Sequence, residues 1–157
     1  MKAEELVRKE LVALLEGGNA HQALDQLVAD FPESIVNTQP PWSTAYTAWR
    51  LLEHIRIAQW DILEFIRNPD YESPPWPEGY WPPDGAQADR GQWQATVAAI
   101  RKDTQDLLDI VRDPNTDLFA PLPHAQDYTI LREILVAMDH FSYHLGELGL
   151  LRSALGD

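Results

Sequence analysis

Residues 128–155 read YTILREILVAMDHFSYHLGELGLLRSAL, and apolar side chains recur in that stretch every three or four positions. Ile134, Ala137, Phe141, Leu145 and Leu148 therefore share one face of an α-helix with 3.6 residues per turn. Gly156 follows directly, where a helix is easily ended. The spacing predicts one long helix from Tyr128 to about Leu155, with His140 and His144 at the edge of its apolar arc.

The same period recurs upstream. Leu6, Val7, Leu11, Leu14 and Leu15 mark a helix over Glu4–Leu15 that ends at Gly17-Gly18. A shorter helix is predicted over Asn19–Asp30, with Asn19 as its cap. After a loop over Ile35–Trp42, Ser43 or Thr44 caps a long helix that runs to Arg67 and stops at Asn68-Pro69. Another long helix covers Gly91–Arg112, and the loop behind Pro114 closes at Asp127. No stretch alternates for long enough to make a useful strand, and no internal repeat is present. The fold class is all-α.

Loop length predicts the topology. Antiparallel neighbours in a bundle need only about two to eight linking residues. The segment from Asn68 to Arg90 is far longer, carries six prolines and has no helical period. A connection of that length can run back along a helix of about 34 Å and set the second and third long helices parallel. The shorter 113–127 link suits an antiparallel turn into the last helix.

Composition narrows the function. A chain of 157 residues with 45% apolar and 24% charged side chains suits one globular domain, taken as 1–157. The net charge of −13 argues against nucleic acid, because binding phosphates takes clustered Lys and Arg. An acidic membrane surface is disfavoured for the same reason, and no apolar run is long enough to span a bilayer. The charged N-terminus lacks an export signature, and with no cysteine the chain reads as cytoplasmic. Without cysteine, any sulfur chemistry depends on a bound partner.

His140 and His144 project from one face a turn apart, a spacing at which two imidazoles can chelate a metal ion. His54 holds the matching place on its own helix, beside Leu51, Ile55, Ala58, Ile62 and Phe65. A lone histidine at an apolar edge is usually a hydrogen-bonded structural residue; a pair with a third at similar depth points to a metal. His21 and His124 lack that setting and read as surface residues. The acids Asp103, Asp106 and Asp109 read as a solvated helix face, and Glu53 points away from the His54 face.

Two stretches carry a family resemblance: WRLLEHIRIAQWDIL at 49–63 and DHFSYHLGELGLLR at 139–152. With a mid-helix histidine followed later by H-x-x-x-H-x-G-[EQ], the chain resembles the DinB superfamily, which includes YfiT-like metal-dependent hydrolases, from about residue 40 to its end. The resemblance implies a four-helix bundle, often a homodimer. It also implies a three-histidine site for zinc or nickel, or for manganese or iron, which carries over onto His54, His140 and His144. Some relatives transfer low-molecular-weight thiols such as bacillithiol, one isomerises maleylpyruvate with mycothiol, and many have no known activity.

Three neutral imidazoles leave a divalent ion with positions for water or a small-molecule substrate, the pattern of a catalytic site. Asp61 lies two turns beyond His54 and Glu147 three residues beyond His144, each on its histidine stripe. Either is a candidate fourth ligand, acceptor for an imidazole N–H, or general base. In the crossover, Tyr71, Trp76, Tyr80 and Trp81 alternate with prolines, which fits a structural clamp or the rim of a pocket or dimer surface. Two functions follow: a metal-dependent thiol transferase or hydrolase acting on a small electrophile, or a non-catalytic metal or small-ligand binding domain.

Overall fold

The computed structural model describes residues 2–41 and 46–156. Among the described residues, five α-helices follow one another: α1 (Ala3–Glu16), α2 (Leu24–Val28), α3 (Ala48–Arg67), α4 (Arg90–Arg112) and α5 (Ile130–Leu155). All but α2 are long, and together they form the expected bundle of four.

Local chemistry sets the boundaries. Asp89 accepts from the Gln92 amide at 2.8 Å while the Gln92 side chain accepts from the Asp89 amide at 2.9 Å, so α4 starts in a closed capping box. Thr129 caps α5 through the Arg132 amide at 3.1 Å. In α3 the first helical residue is Ala48 and the cap is Thr47; the caps expected at Ser43 or Thr44 lie outside the described residues. Helix α2 is shorter than the Asn19–Asp30 expected. Gly17 and Gly18 both adopt positive φ, and Asn19 donates its side-chain N–H back to the Ala13 carbonyl at 2.8 Å. Asn19 thus finishes α1 rather than starting α2.

A small hairpin that the periodicity did not predict precedes α5. Strands β1 (Pro121–Leu122) and β2 (Ala125–Thr129) pair antiparallel. Two residues on one side are too few to leave an alternating pattern in the sequence.

Helices α3 and α4 are parallel, as the long crossover requires. Glu53 accepts from Thr96 at 2.8 Å, Gln59 donates to the Ile100 carbonyl at 3.1 Å, and Arg67 donates to Asp106 at 3.1 Å, so partner numbers rise together. Helix α5 runs the other way. Leu51, Leu52 and Ile55 of α3 share one apolar cluster with Leu145, Leu148 and Leu151, whereas Leu63 and Ile66 share a second with Ile134, Ala137 and Met138. The two clusters stack along the bundle, and His54, Gln59 and His144 are buried near the level where they meet. Full burial of one such leucine contributes about 1.5–3 kcal/mol. Among the described residues, no helix is long and apolar enough to cross a membrane.

The acidic face of α4 departs from expectation. Asp103 is only 5% exposed, and burial raises its pKa, opposed by the nearby Lys102, Arg56 and Arg67 charges. It faces the bundle because it falls in line with Thr96, Ile100 and Leu107, all buried on α4. A carboxyl whose folded pKa is raised holds its proton more tightly in the folded state, so its stabilising effect is present at acid pH and lost as pH rises. Asp103→Asn is therefore expected to melt at a higher temperature than the parent at pH 7. The gain should shrink as the pH is lowered towards 4, and thermal denaturation followed by circular dichroism checks both points.

Candidate metal centre

Helices α3 and α5 bring the three histidines of the sequence reading into one cluster. His140 and His144 sit one turn apart on α5, and antiparallel packing sets His54 of α3 opposite them. His54 and His144 are buried and His140 is half-buried. The His54 Nε2 lies 2.9 Å from His140 Nε2 and 3.2 Å from His144 Nε2. The rings meet edge to face, with centroids 4.4 to 4.8 Å apart.

Hydrogen bonds on the outer nitrogens decide what the inner ones offer. The Nδ1 of His54 lies 2.8 Å from the Tyr80 carbonyl, which can only accept, so Nδ1 carries the proton. The Nδ1 of His144 likewise donates to Glu147 Oε2 at 2.6 Å. In the neutral form, each ring then presents an Nε2 lone pair to the cluster. A proton on His140 Nε2 can satisfy that of His54, but the lone pair of His144 still faces His54 Nε2 across 3.2 Å with no donor. Burial lowers the His54 pKa, and burial with the His144 and His54 charges lowers that of His140 to about 3. His54 and His140 thus resist protonation near neutral pH, and the cluster holds buried lone pairs suited to a cation.

The donor set fits a divalent ion. At a metal–nitrogen distance of about 2.0–2.1 Å, nitrogens 2.9 and 3.2 Å apart subtend about 90–105°, compatible with octahedral or tetrahedral coordination. All three ligand atoms lie within 4.8 Å of one another.

The two candidate carboxylates occupy different positions. Glu147 accepts from His144 through one oxygen and from the Tyr46 hydroxyl through the other, at 2.9 Å. Burial and this carboxylate raise the Tyr46 pKa, which keeps the phenol protonated as a donor. Asp61 is buried on α3 and accepts from the Tyr80 hydroxyl at 2.7 Å, so it reaches the cluster through Tyr80 rather than through an imidazole. His124 is exposed and bonds to the Phe65 carbonyl; His21, half-buried, bonds to Gln22 and Ser142. Neither joins the cluster.

Three aromatic residues adjoin the histidines: Tyr80 and Trp81, expected only as part of the crossover's clamp or rim, and Tyr46, for which there was no expectation. Trp81 lies flat on His54, with centroids 3.8 Å apart and planes 4° apart, and Tyr46 stacks on Trp81 at 4.7 Å. The Tyr80 carbonyl holds His54. Tyr80 and Trp81 of the crossover thus pack back on the bundle here while Trp76 stays exposed, and which of them meets a histidine has no periodic signal, because the crossover holds no more than a single 3-10 turn. A groove of about 720 Å³ lies elsewhere, between α2 and α4, with Phe31, Glu33 and Trp93 in its lining and none of the three histidines.

The model of the DinB superfamily matches residues 18–148 of this chain, starting earlier than the resemblance read from the two histidine stretches. No curated protein matches. The matched span contains His54, His140 and His144 with Asp61 and Glu147, on helices that already pack as the four-helix bundle the resemblance implied. By that match, this chain belongs to the DinB superfamily.

Proposed function

We propose that His54, His140 and His144 bind a divalent ion, zinc or nickel before manganese or iron, and that the centre serves a metal-dependent enzyme. The supporting observation is the pair of outward N–H bonds, from His54 to Tyr80 and from His144 to Glu147, which turn two lone pairs inward. An ion held by three imidazoles supplies Lewis acidity that ionises water or a thiol near neutral pH and polarises an electrophile. The reaction class is thiol S-transfer or hydrolysis on a small electrophile. In a chain without cysteine, a low-molecular-weight thiol cosubstrate would bring the sulfur.

The protein's own groups divide the remaining work. Glu147 holds the His144 ring in its tautomer and stands within one hydrogen bond of Tyr46, so it can take a proton as a general base. Trp81 excludes water from one face of His54. That same cover favours the second reading, a non-catalytic centre whose ion mainly joins α3 to α5. The two readings separate on turnover. Under the enzyme reading, metal-loaded protein is expected to transfer a thiol to, or hydrolyse, a generic electrophile in a small screen. Glu147→Gln, which keeps an acceptor but loses the charge, should retain metal and lose about tenfold or more in rate. Metal-loaded protein with no turnover across the screen supports the binding reading.

Metal content tests the centre itself. His54→Ala, His140→Ala and His144→Ala are each expected to lose most bound metal while staying helical, whereas His21→Ala and His124→Ala retain it. Mass spectrometry for metal beside circular dichroism for fold reads this. Chelation should lower the melting temperature of the parent, since a native-state ligand at a hundredfold excess over Kd contributes about 2.7 kcal/mol. Full occupancy in His144→Ala would displace the site.

The homodimer is proposed to form along α5. Its outer face presents Leu135, Val136, Tyr143 and Leu150, exposed by 40 to 71%. Asp139 is the only charged residue among the exposed positions between Leu135 and Ser153. That is a poor solvent face for a chain of net charge −13, and a twofold contact would cover it. Light scattering is expected to give twice the monomer mass, and Tyr143→Glu with Leu150→Glu to give the monomer.

A further inference from the structure

Arg50, His54 and Asp61 stand four and seven residues apart on α3, which sets them within about 40° of one another around the helix axis. The crossover lies along this stripe and is fastened at all three positions. Arg50 donates to the Pro82 carbonyl at 3.1 Å and pairs with Asp84 at 2.8 Å. His54 donates to the Tyr80 carbonyl, and Trp81 covers its ring. Asp61 accepts from the Tyr80 hydroxyl, which burial and that bond push up to about 12, so it remains a donor at neutral pH. One residue, Tyr80, therefore holds a histidine with its main chain and a buried carboxylate with its side chain.

These two bonds constrain each other. The Tyr80 carbonyl can fix the His54 ring only if residue 80 is seated, and in this strand-free segment its side-chain anchor is Asp61. With the carbonyl displaced, His54 loses the acceptor that keeps its proton on Nδ1. The proton is then free to move to Nε2, which removes the inward lone pair. We propose that Asp61 is a positioning residue for the histidine cluster, acting through Tyr80, so that the seating of the crossover sets the affinity of the site for metal. This rests on the metal reading above but makes a separate claim about the free protein.

The test uses Tyr80→Phe, which leaves the carbonyl and the ring and deletes only the hydroxyl, together with Asp61→Leu in the full chain. Two measurements are made: zinc affinity by competition with a chromogenic chelator, and long-range nitrogen–proton spectra of the histidine rings without metal. In both variants the zinc Kd is expected to rise about tenfold or more. The His54 Nδ1–H signal should shift or exchange faster while that of His144, held by Glu147, stays in place. A general loosening of the fold would move both signals. Asp61→Asn, which keeps an acceptor for Tyr80, should fall between the parent and Asp61→Leu, and it carries both measurements if the other variants do not fold. An unmoved His54 signal in the variants that fold overturns the proposal. If the parent itself binds no zinc, the metal reading fails, and the ring spectra still decide this one.

Discussion

Two hydrogen bonds that point away from the histidine cluster govern what the cluster can do. An imidazole has two nitrogens, and fixing a proton on the outer one leaves the inner one as an acceptor. In His54 and His144 the outer partners are a carbonyl and a carboxylate, neither of which offers a proton to the neutral ring. The inner nitrogens are then buried lone pairs facing one another, and an unsatisfied buried polar group costs about 1–3 kcal/mol. The bundle carries that cost at the level where its two apolar clusters meet. A site with such a deficit could hold a cation with little rearrangement of its tautomers, and the lowered pKa of His140 makes a proton a poor substitute.

Topology supplies the outer partners. Because α3 and α4 run parallel, the chain must return the length of the bundle between them, and it does so over the α3 stripe that carries His54. Had the two helices been antiparallel, a short turn would have joined them and no segment would pass the histidine. The same crossover brings Trp81 onto the ring. The long connection is thus part of the centre as well as a link between helices. Glu147, by contrast, needs no topology, since it sits within one turn of His144 on the same helix.

Helix periodicity made the bundle legible, and loop length made the parallel pair legible, because both are properties of local sequence. The convergence of His54 with His140 and His144 followed from their depth on apolar faces, which survives the shift from wheel to structure. What escaped depended on side chains outside any period. Asn19 turned out to close α1, because two glycines upstream free the chain to fold back. Asp103 sat in a run of acids that suggested solvent, yet its phase on α4 places it inward with Ile100 and Leu107. Asp61 falls on the expected stripe, but its partner is a tyrosine nineteen positions away, in a crossover whose regular structure is one short 3-10 turn, Glu78–Tyr80.

The acceptor for His54 is a main-chain oxygen, and every residue type has one. Exchange of the side chain at position 80 leaves that oxygen in the sequence, but a change in the number of residues between α3 and position 80 does not leave it in place. Removing one residue moves the chain by up to about 3.6 Å, more than the whole length of the bond to His54. Among related chains, the count of residues from the first histidine helix to position 80 should therefore be held more tightly than the identity of the residues between them. An insertion would be tolerated only beyond Asp84, past the last residue that fastens the crossover to the α3 stripe.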